Sequence, residues 1–190
     1  MASPQLYTVN GIVLKRTNSG EGDKILTVLC EHVGKKRFVG KGIRKITSRR
    51  AGHIELFSKT NFLIHRGKTL DYISGASVFS AYGTSYKELY QLAGAYTASE
   101  VIDRMIMEGQ IHDQVYVQFD QFLHDMETIA FSHVSGHLKL FIDTLLMNLG
   151  YQTEEKRSLT LGHGIASVEQ VIERKIRSVN LLSKSGMNMF

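Results

Sequence analysis

The first 80 residues alternate short apolar runs with polar turns that contain glycine, and this pattern predicts β-strands. Val, Ile, Phe, Tyr and Thr are frequent in the runs, as expected for a pleated, half-buried surface. The predicted strands are Leu6–Leu14, Lys24–Cys30, Arg37–Gly40, Ile54–His65 and Leu70–Val78. Five short strands in so short a segment are typical of a small closed barrel. A five-stranded OB-fold is the leading prediction, and an SH3-like barrel fits the same strand pattern.

From Tyr82 onward the apolar residues recur every three or four positions, which is the period of an amphipathic helix. A helix is predicted over Tyr86–Met107, and two clearer apolar stripes follow it. The stripes are Val115, Phe119, Phe122, Met126 and Ile129, and then Leu138, Phe141, Ile142, Leu145, Leu146 and Leu149. Gly150 follows the second stripe, at a position where glycine can end a helix.

The last predicted helix begins at Ser167, because Ser167 and Gln170 have the spacing of a capping box. Its apolar face continues to Val179. The polar segment 150–164, which precedes this helix, is predicted to be a loop.

Charge divides the chain where the hydrophobic pattern changes. Residues 1–80 hold 14 Lys and Arg against 5 Asp and Glu, a net +9, whereas residues 81–190 hold 9 against 13, a net −4. The two patterns together predict an α+β protein of two domains: a barrel over residues 1–80 that meets a polyanion, and an all-helical domain over residues 81–190.

Cysteine content and hydropathy favour an intracellular protein. Cys30 is the single cysteine, which excludes an internal disulfide framework and a zinc site built from several cysteines. No stretch approaches the roughly 18 apolar residues of a membrane span, and the first residues lack the pattern of a signal peptide. We therefore expect a cytoplasmic location.

The most distinctive feature of the sequence is a run of cations without a single acid over residues 35–50. Like charges at this density raise one another's energy unless an anion neutralises them. Gly40 and Gly42 would let the backbone approach a ligand closely, and Thr47 and Ser48 offer hydroxyl donors to phosphate oxygens. The predicted nucleic-acid-binding residues are Lys35, Lys36, Arg37, Lys41, Arg44, Lys45, Arg49 and Arg50. A solvated basic loop is the alternative.

Aromatic residues that could stack on bases also lie in the predicted strands. They are Phe38, Phe57, Phe62 and Tyr72. A place in the barrel core is the alternative for each ring, and the sequence does not show which face of its strand each one takes.

No nucleotide-binding loop is predicted. The segment Gly34–Lys41 has five residues between its glycines where a phosphate-binding loop needs four, and Gly42 stands where a Ser or Thr is required. The pair Gly162 and Gly164 lacks the third glycine of a dinucleotide motif. We therefore expect no cofactor.

The histidines and the cysteine do not form a catalytic motif either. His133 and His137 could share a helix face with His124 nearby, but Val134 occupies the position of the glutamate in the hydrolytic zinc motif. Exposed or hydrogen-bonded histidines are favoured over metal ligands. Cys30 ends an apolar strand and is interpreted as an inert core thiol.

Several short motifs occur along the chain in an order and at a spacing that are typical of one protein family. The motifs are Gly11-Ile12-Val13-Leu14, Gly20-Glu21-Gly22-Asp23-Lys24-Ile25-Leu26-Thr27, Gly34-Lys35, Lys41-Gly42-Ile43-Arg44-Lys45 and Ser48-Arg49. Looser matches in the second half are Tyr96, Glu100, Val101, Asp103, Arg104, the segment Leu138–Tyr151, Ile172-Glu173 and Arg177-Ser178. The chain therefore resembles RecO, the bacterial recombination mediator family, most specifically over residues 10–80.

This resemblance implies an N-terminal OB-fold, a C-terminal helical domain and no enzymatic activity. Members of the family bind single- and double-stranded DNA and anneal complementary strands. They act with RecR in the RecF pathway of DNA repair to load RecA onto DNA coated by single-strand-binding protein, whose C-terminal tail is a further expected partner. Among the basic residues, Lys41, Arg44 and Arg49 are the closest matches to the family motif and are expected to contact DNA.

One departure from the family pattern concerns zinc. Many members carry a four-cysteine zinc module soon after the segment that matches Leu149-Gly150-Tyr151. This chain has Glu154, Glu155, Lys156 and Arg157 there, and it has no cysteine after Cys30. We therefore expect a member that lacks the zinc module and binds no metal.

Three other functions fit parts of the sequence. An RNA-binding barrel would prefer RNA to the matched DNA strand. A protein-interaction adaptor would bind an acidic partner tail but not naked DNA. A metalloenzyme using His124, His133 and His137 would carry stoichiometric metal.

Overall fold

The alternating runs of the first 80 residues form strands, and the periodic runs that follow form helices. The computed structural model describes residues 5–43 and 54–187. The strands are β1 (Leu6–Ser19), β2 (Asp23–Cys30), β3 (Gly34–Gly40), β4 (Ser58–His65) and β5 (Asp71–Ala81). The α-helices are α1 (Tyr82–Ser85), α2 (Leu89–Met105), α3 (Asp113–Asp125), α4 (Phe131–Asn148), α5 (Leu161–Ile172) and α6 (Val179–Lys184).

The five strands close into a barrel in the order β1-β2-β3-β5-β4. Neighbouring strands are antiparallel except β3 and β5, which pair in parallel through Phe38 opposite Asp71 and Val39 opposite Tyr72. The predicted fold class, an OB-like barrel followed by helices in an α+β chain, is confirmed.

Strand boundaries differ from the prediction where charge or backbone conformation decides them. β1 continues to Ser19 and β3 starts at Gly34, because both strands pair with β2 over these polar stretches. β4 begins at Ser58 rather than Ile54. Phe57, just before it, has a left-handed backbone (φ 62°), which interrupts an extended strand.

Three of the four aromatic residues that were predicted as stacking candidates are buried, and Phe38 and Phe62 belong to the barrel core. Phe38, Phe57 and Phe62 are at most 1% exposed. The rings of Phe38 and Phe62 pack with their centroids 6.3 Å apart. Tyr72 is the one of the four predicted candidates that lies half-buried at the surface.

The helical part matches the predicted periodicity with shifted ends. α4 begins at Phe131, ahead of its apolar stripe, and Gly150 ends it as predicted. Gly150 has φ 79°, its N–H donates to the Met147 carbonyl, and the Tyr151 N–H donates to the Leu146 carbonyl. These two bonds satisfy carbonyls that the end of a helix leaves without partners.

The prediction for the last helix is wrong. α5 starts at Leu161, inside the predicted loop, and a 3₁₀-helix over Glu154–Lys156 also lies within that loop. The helix cap is the Thr160 side chain, which accepts a hydrogen bond from the His163 N–H at 3.3 Å, so the capping-box assignment at Ser167 is also wrong. The chain leaves α5 at Glu173 (φ 53°), and α6 is a separate helix.

The chain divides into two compact units. The barrel unit comprises Met1–Gly83 and Met107–Asp113, and the helical unit comprises Thr84–Ile106 and Gln114–Phe190. The barrel unit therefore includes a short segment from between α2 and α3. In the described part of the chain, no helix is both long and apolar enough to cross a membrane.

Candidate nucleic-acid interface

β3 carries or adjoins half of the predicted basic residues. Lys35, Lys36 and Arg37 lie within the strand, and Lys41 follows it directly. Arg44, Lys45, Arg49 and Arg50 lie outside the described residues. The structure therefore describes four of the eight cations in two environments: Lys35, Lys36 and Arg37 lie near residues 108 and 109, and Lys41 lies over the Tyr72 ring.

The first environment adjoins the segment Met107–Asp113, here called the strap, and Arg37 remains exposed within it. Lys35 forms a parallel β-bridge with Glu108, and the Gly109 N–H donates to the Lys35 carbonyl at 2.8 Å. Arg37 Nε donates to Glu108 Oε2 at 2.8 Å. Lys35 is 9% exposed. At this end of β3 the protein itself supplies a backbone partner and a carboxylate to the basic strand.

The strap also contacts the barrel at its last residue and near its middle. Asp113 Oδ1 accepts a hydrogen bond from the His32 N–H at 3.1 Å and lies 3.2 Å from His32 Nδ1. Near its middle the strap passes so close to β3 that a Cβ built on Gly34 would lie 2.0 Å from the Gln110 carbonyl oxygen. These contacts hold the strap against the start of β3.

The second environment, at the other end of β3, exposes its cation. Lys41 is exposed, and its Nζ lies 4.2 Å from the centroid of the Tyr72 ring. The turn that follows β3 is tied to the start of β2, because the Gly42 N–H donates to Asp23 Oδ1 at 2.8 Å. The backbone around Lys41 is thus held between two neighbouring strands.

The turn between β4 and β5 carries a second exposed cation, Arg66, which lies over another tyrosine ring, that of Tyr7. The guanidinium carbon of Arg66 lies 5.3 Å from the centroid of the Tyr7 ring. Tyr7 donates from its hydroxyl to Asp71 Oδ2 at 2.6 Å, and Asp71 Oδ1 accepts from the Gly67 N–H at 3.0 Å. Burial and the bond to Asp71 both raise the pKa of Tyr7, so its hydroxyl stays protonated.

The two pairs are linked because the β4–β5 turn lies against the Tyr72 ring at Gly67 and Asp71 precedes Tyr72 in β5. Tyr7, Lys41, Arg66, Asp71 and Tyr72 therefore form one group, here called the tyrosine–cation cluster. In OB-folds the face of the second and third strands and the loops beside it are the usual binding surface for oligonucleotides. The cluster combines the end of β3 with the β4–β5 turn, which belong to that surface. It offers exposed positive charge of the kind that contacts phosphates.

Sequence reasoning missed Arg66 and Lys68, both of which are exposed. The glycine in the segment from His65 to Lys68 indicates a turn. Two cations in a turn are a much weaker signal of composition than the eight cations of residues 35–50. The available signal was positional: in an OB-fold the turn between the fourth and fifth strands is a binding loop, so cations there carry more weight than their number suggests.

The remaining candidates take ordinary structural positions. His137 stacks on Phe122 with 5.0 Å between ring centroids, and His124 Nδ1 lies 3.2 Å from Glu127 Oε2. Burial lowers the pKa of His137, although the charge of Asp125 opposes this effect. Over residues 5–43 and 54–187, no three His, Cys, Asp or Glu side chains are grouped to hold a metal ion.

Cys30 lies in the barrel core. Its side chain is 2% exposed. Burial raises the pKa of the thiol to about 12, so it stays protonated at neutral pH. The geometry agrees with an inert core thiol.

Comparison with known proteins points to one family. The model of the recombination protein O N-terminal domain matches residues 1–82. The DNA repair protein RecO of Nostoc punctiforme is 33% identical over 132 residues, 70% of this chain and 44% of the relative. RecO of Roseiflexus is 34% identical over 104 residues, 55% of this chain and 36% of the relative. RecO of Syntrophomonas wolfei is 28% identical over 144 residues, 74% of this chain and 55% of the relative.

The chain thus spans between about a third and just over half of the length of these relatives. The matched segment includes every strand of the barrel and the whole tyrosine–cation cluster. Fold, motif order and relatives agree, and the chain belongs to the RecO family of DNA repair proteins.

Proposed function

We propose that this chain is a non-enzymatic mediator of DNA repair that binds single- and double-stranded DNA and anneals complementary strands. By the same proposal it acts with RecR and with single-strand-binding protein in loading RecA. The observation that carries the DNA-binding part is the tyrosine–cation cluster, which presents Lys41 and Arg66 at the surface where OB-folds bind oligonucleotides. Family membership supports the partners, and no residue of the helical unit is assigned to them.

The physical basis of the proposed binding is neutralisation of phosphates. Each cation that meets a phosphate releases condensed counterions, so the gain in free energy is independent of base sequence and falls as salt rises. Cations on one surface could neutralise two strands together and lower their mutual repulsion, which would favour annealing.

The test is fluorescence anisotropy with labelled single-stranded DNA across a salt series. If about five phosphates are engaged, the logarithm of the binding constant falls with the logarithm of salt at a slope of roughly −3.5. Lys41, Arg44 and Arg49 are then replaced together by Glu, which should abolish binding while the thermal midpoint stays near that of the wild type.

A matched control makes the same change of charge in the other half of the sequence. Lys156, Arg174 and Lys184 are exposed on the helical unit, and their joint replacement by Glu should leave most of the binding intact. Flat anisotropy of the wild type at low salt contradicts the DNA-binding proposal. Binding that prefers RNA to the matched DNA strand indicates the RNA-binding alternative, and binding of an acidic peptide without DNA indicates the adaptor.

A further inference from the structure

We infer that Tyr7 and Tyr72 are positioning residues that hold Arg66 and Lys41 for phosphate contact, and that they do not stack on bases. The inference rests on the proposed function and specifies the ligand class of the cluster: the sugar–phosphate backbone of a single strand, read without regard to its bases.

Two contacts occupy one face and one edge of the Tyr72 ring. Lys41 Nζ covers one face at 4.2 Å from the ring centroid. The β4–β5 turn crowds the edge of the ring, since a Cβ built on Gly67 would lie 2.7 Å from Tyr72 Cε2. A base stacking on the covered face would have to displace the cation that makes the site attractive to DNA.

Tyr7 is engaged in the same way. Arg66 lies over its ring, and its hydroxyl is committed to Asp71. The ring also packs against the barrel core. The Tyr7 ring therefore packs against the barrel core and also contacts the Arg66 guanidinium.

The other aromatic rings of the barrel do not provide a platform within the cluster. Phe38, Phe57 and Phe62 are buried. Phe79 is 59% exposed, but it lies seven residues beyond Tyr72 along β5, which corresponds to about 23 Å of extended strand. Phe79 thus supplies a matched control, because it is an exposed ring on the same strand with no place in the cluster.

A held cation is useful because a free lysine or arginine side chain loses conformational freedom when it binds. A cation–π contact at an exposed site favours the position of the cation over the ring by about two- to fivefold in the equilibrium constant. Tyr72→Leu should therefore weaken binding of single-stranded DNA by about that factor. Tyr72→Phe should retain wild-type affinity, since the ring face is unchanged.

The experiment compares a normal strand with an abasic strand of equal length, first on the wild-type protein. We expect equal affinities within about twofold, because the abasic strand keeps every phosphate. Tyr72→Leu should weaken both strands alike, and Phe79→Leu should weaken neither. In a Lys41→Gln background, Tyr72→Leu should cause no further loss, since Tyr72 acts through Lys41.

A stacking role gives the opposite results. The abasic strand then binds at least tenfold more weakly to the wild type, and Tyr72→Leu costs the same with or without Lys41. Either result overturns the inference, and the strand comparison needs no variant that might unfold. A wild type that binds neither strand instead overturns the proposed function, which separates the two failures.

Discussion

At the scale of single residues, Gly34 is the point where β3 and the strap are closest. Its φ of 75° lies in the left-handed region, and an added Cβ would meet the Gln110 carbonyl oxygen at 2.0 Å. We expect Gly34→Ala to lower the free energy of unfolding by about 2 to 4 kcal/mol, from backbone strain and the clash together. Denaturant unfolding measures the loss.

Gly20 provides the control for this prediction. It also has a left-handed backbone (φ 59°), but nothing lies within 4 Å of the Cβ that an alanine would add. Gly20→Ala should therefore cost about 1 kcal/mol, the strain alone. Equal decreases in the free energy of unfolding for the two alanine variants would mean that the strap does not restrict the residue at position 34.

The sequence could identify Gly34 as a turn residue, and it could identify the motif that Gly34 begins. It could not identify Gln110 as the neighbour that makes glycine necessary there, because the two residues are far apart in the chain and no local pattern connects them. Cys30 is the converse case: an apolar strand end was sufficient to predict a buried thiol.

At the scale of elements, the described cations of the basic run have different partners at the two ends of β3. The sequence presents Lys35 to Lys41 as one cluster of charge, but Glu108 pairs with Arg37 whereas Lys41 lies over Tyr72. Arg37 differs from Lys41 because the strap, which follows α2, brings Glu108 next to it. The sequence around Glu108 and Asp113 does not show which strand these acids contact.

The different surroundings of Arg37, within β3, and of Lys41, just after it, predict different roles for the two cations. Arg37→Gln should change affinity for single-stranded DNA by less than about twofold and leave the salt slope unaltered, because Glu108 already balances that charge. Lys41→Gln should make the slope shallower by about 0.7, the value of one phosphate on a single strand. Anisotropy across the salt series measures both variants.

The two glutamine variants are matched in charge, so each is the control for the other. A loss of slope in Arg37→Gln equal to that in Lys41→Gln would show that Arg37 leaves Glu108 and contacts DNA. The thermal midpoints of both variants should stay close to that of the wild type, since exposed ion pairs contribute little to stability.

The last helices show a different limit of sequence reasoning. The capping-box spacing of Ser167 and Gln170 set the predicted helix start too late. Gly162 and Gly164 are poor helix formers, yet both lie inside α5. In the structure Gly164 is buried and lies against α4, where an added Cβ would be at ordinary contact distance, 3.4 Å, from Ile142 Cγ2. Tertiary packing overrides the intrinsic preference here, and a single sequence does not reveal it.

At the scale of the whole molecule, the charge boundary in the sequence is not the boundary of the structural units. The strap carries Glu108 and Asp113 into the barrel unit and reduces its net charge from +9 to +7. The barrel unit remains strongly basic, so the polyanion inference from the first 80 residues survives the addition of the strap.

This excess of positive charge predicts the sign of the salt effect on annealing. Without protein, complementary strands anneal faster as salt rises, because salt screens the repulsion between their phosphates. With the protein the rate should fall between low and moderate salt, because the counterion release that drives binding is lost. Mixing labelled complementary strands and following fluorescence quenching measures both rates.

The annealing rate should therefore rise with salt for naked DNA and fall with salt in the presence of the protein. The variant in which Lys41, Arg44 and Arg49 are replaced by Glu should show the same rise with salt as naked DNA. Replacement of Lys156, Arg174 and Lys184 by Glu should keep the slope of the wild type, because those residues lie on the helical unit. Annealing that accelerates with salt in the presence of the wild-type protein would mean that phosphate neutralisation by the barrel is not what brings the strands together.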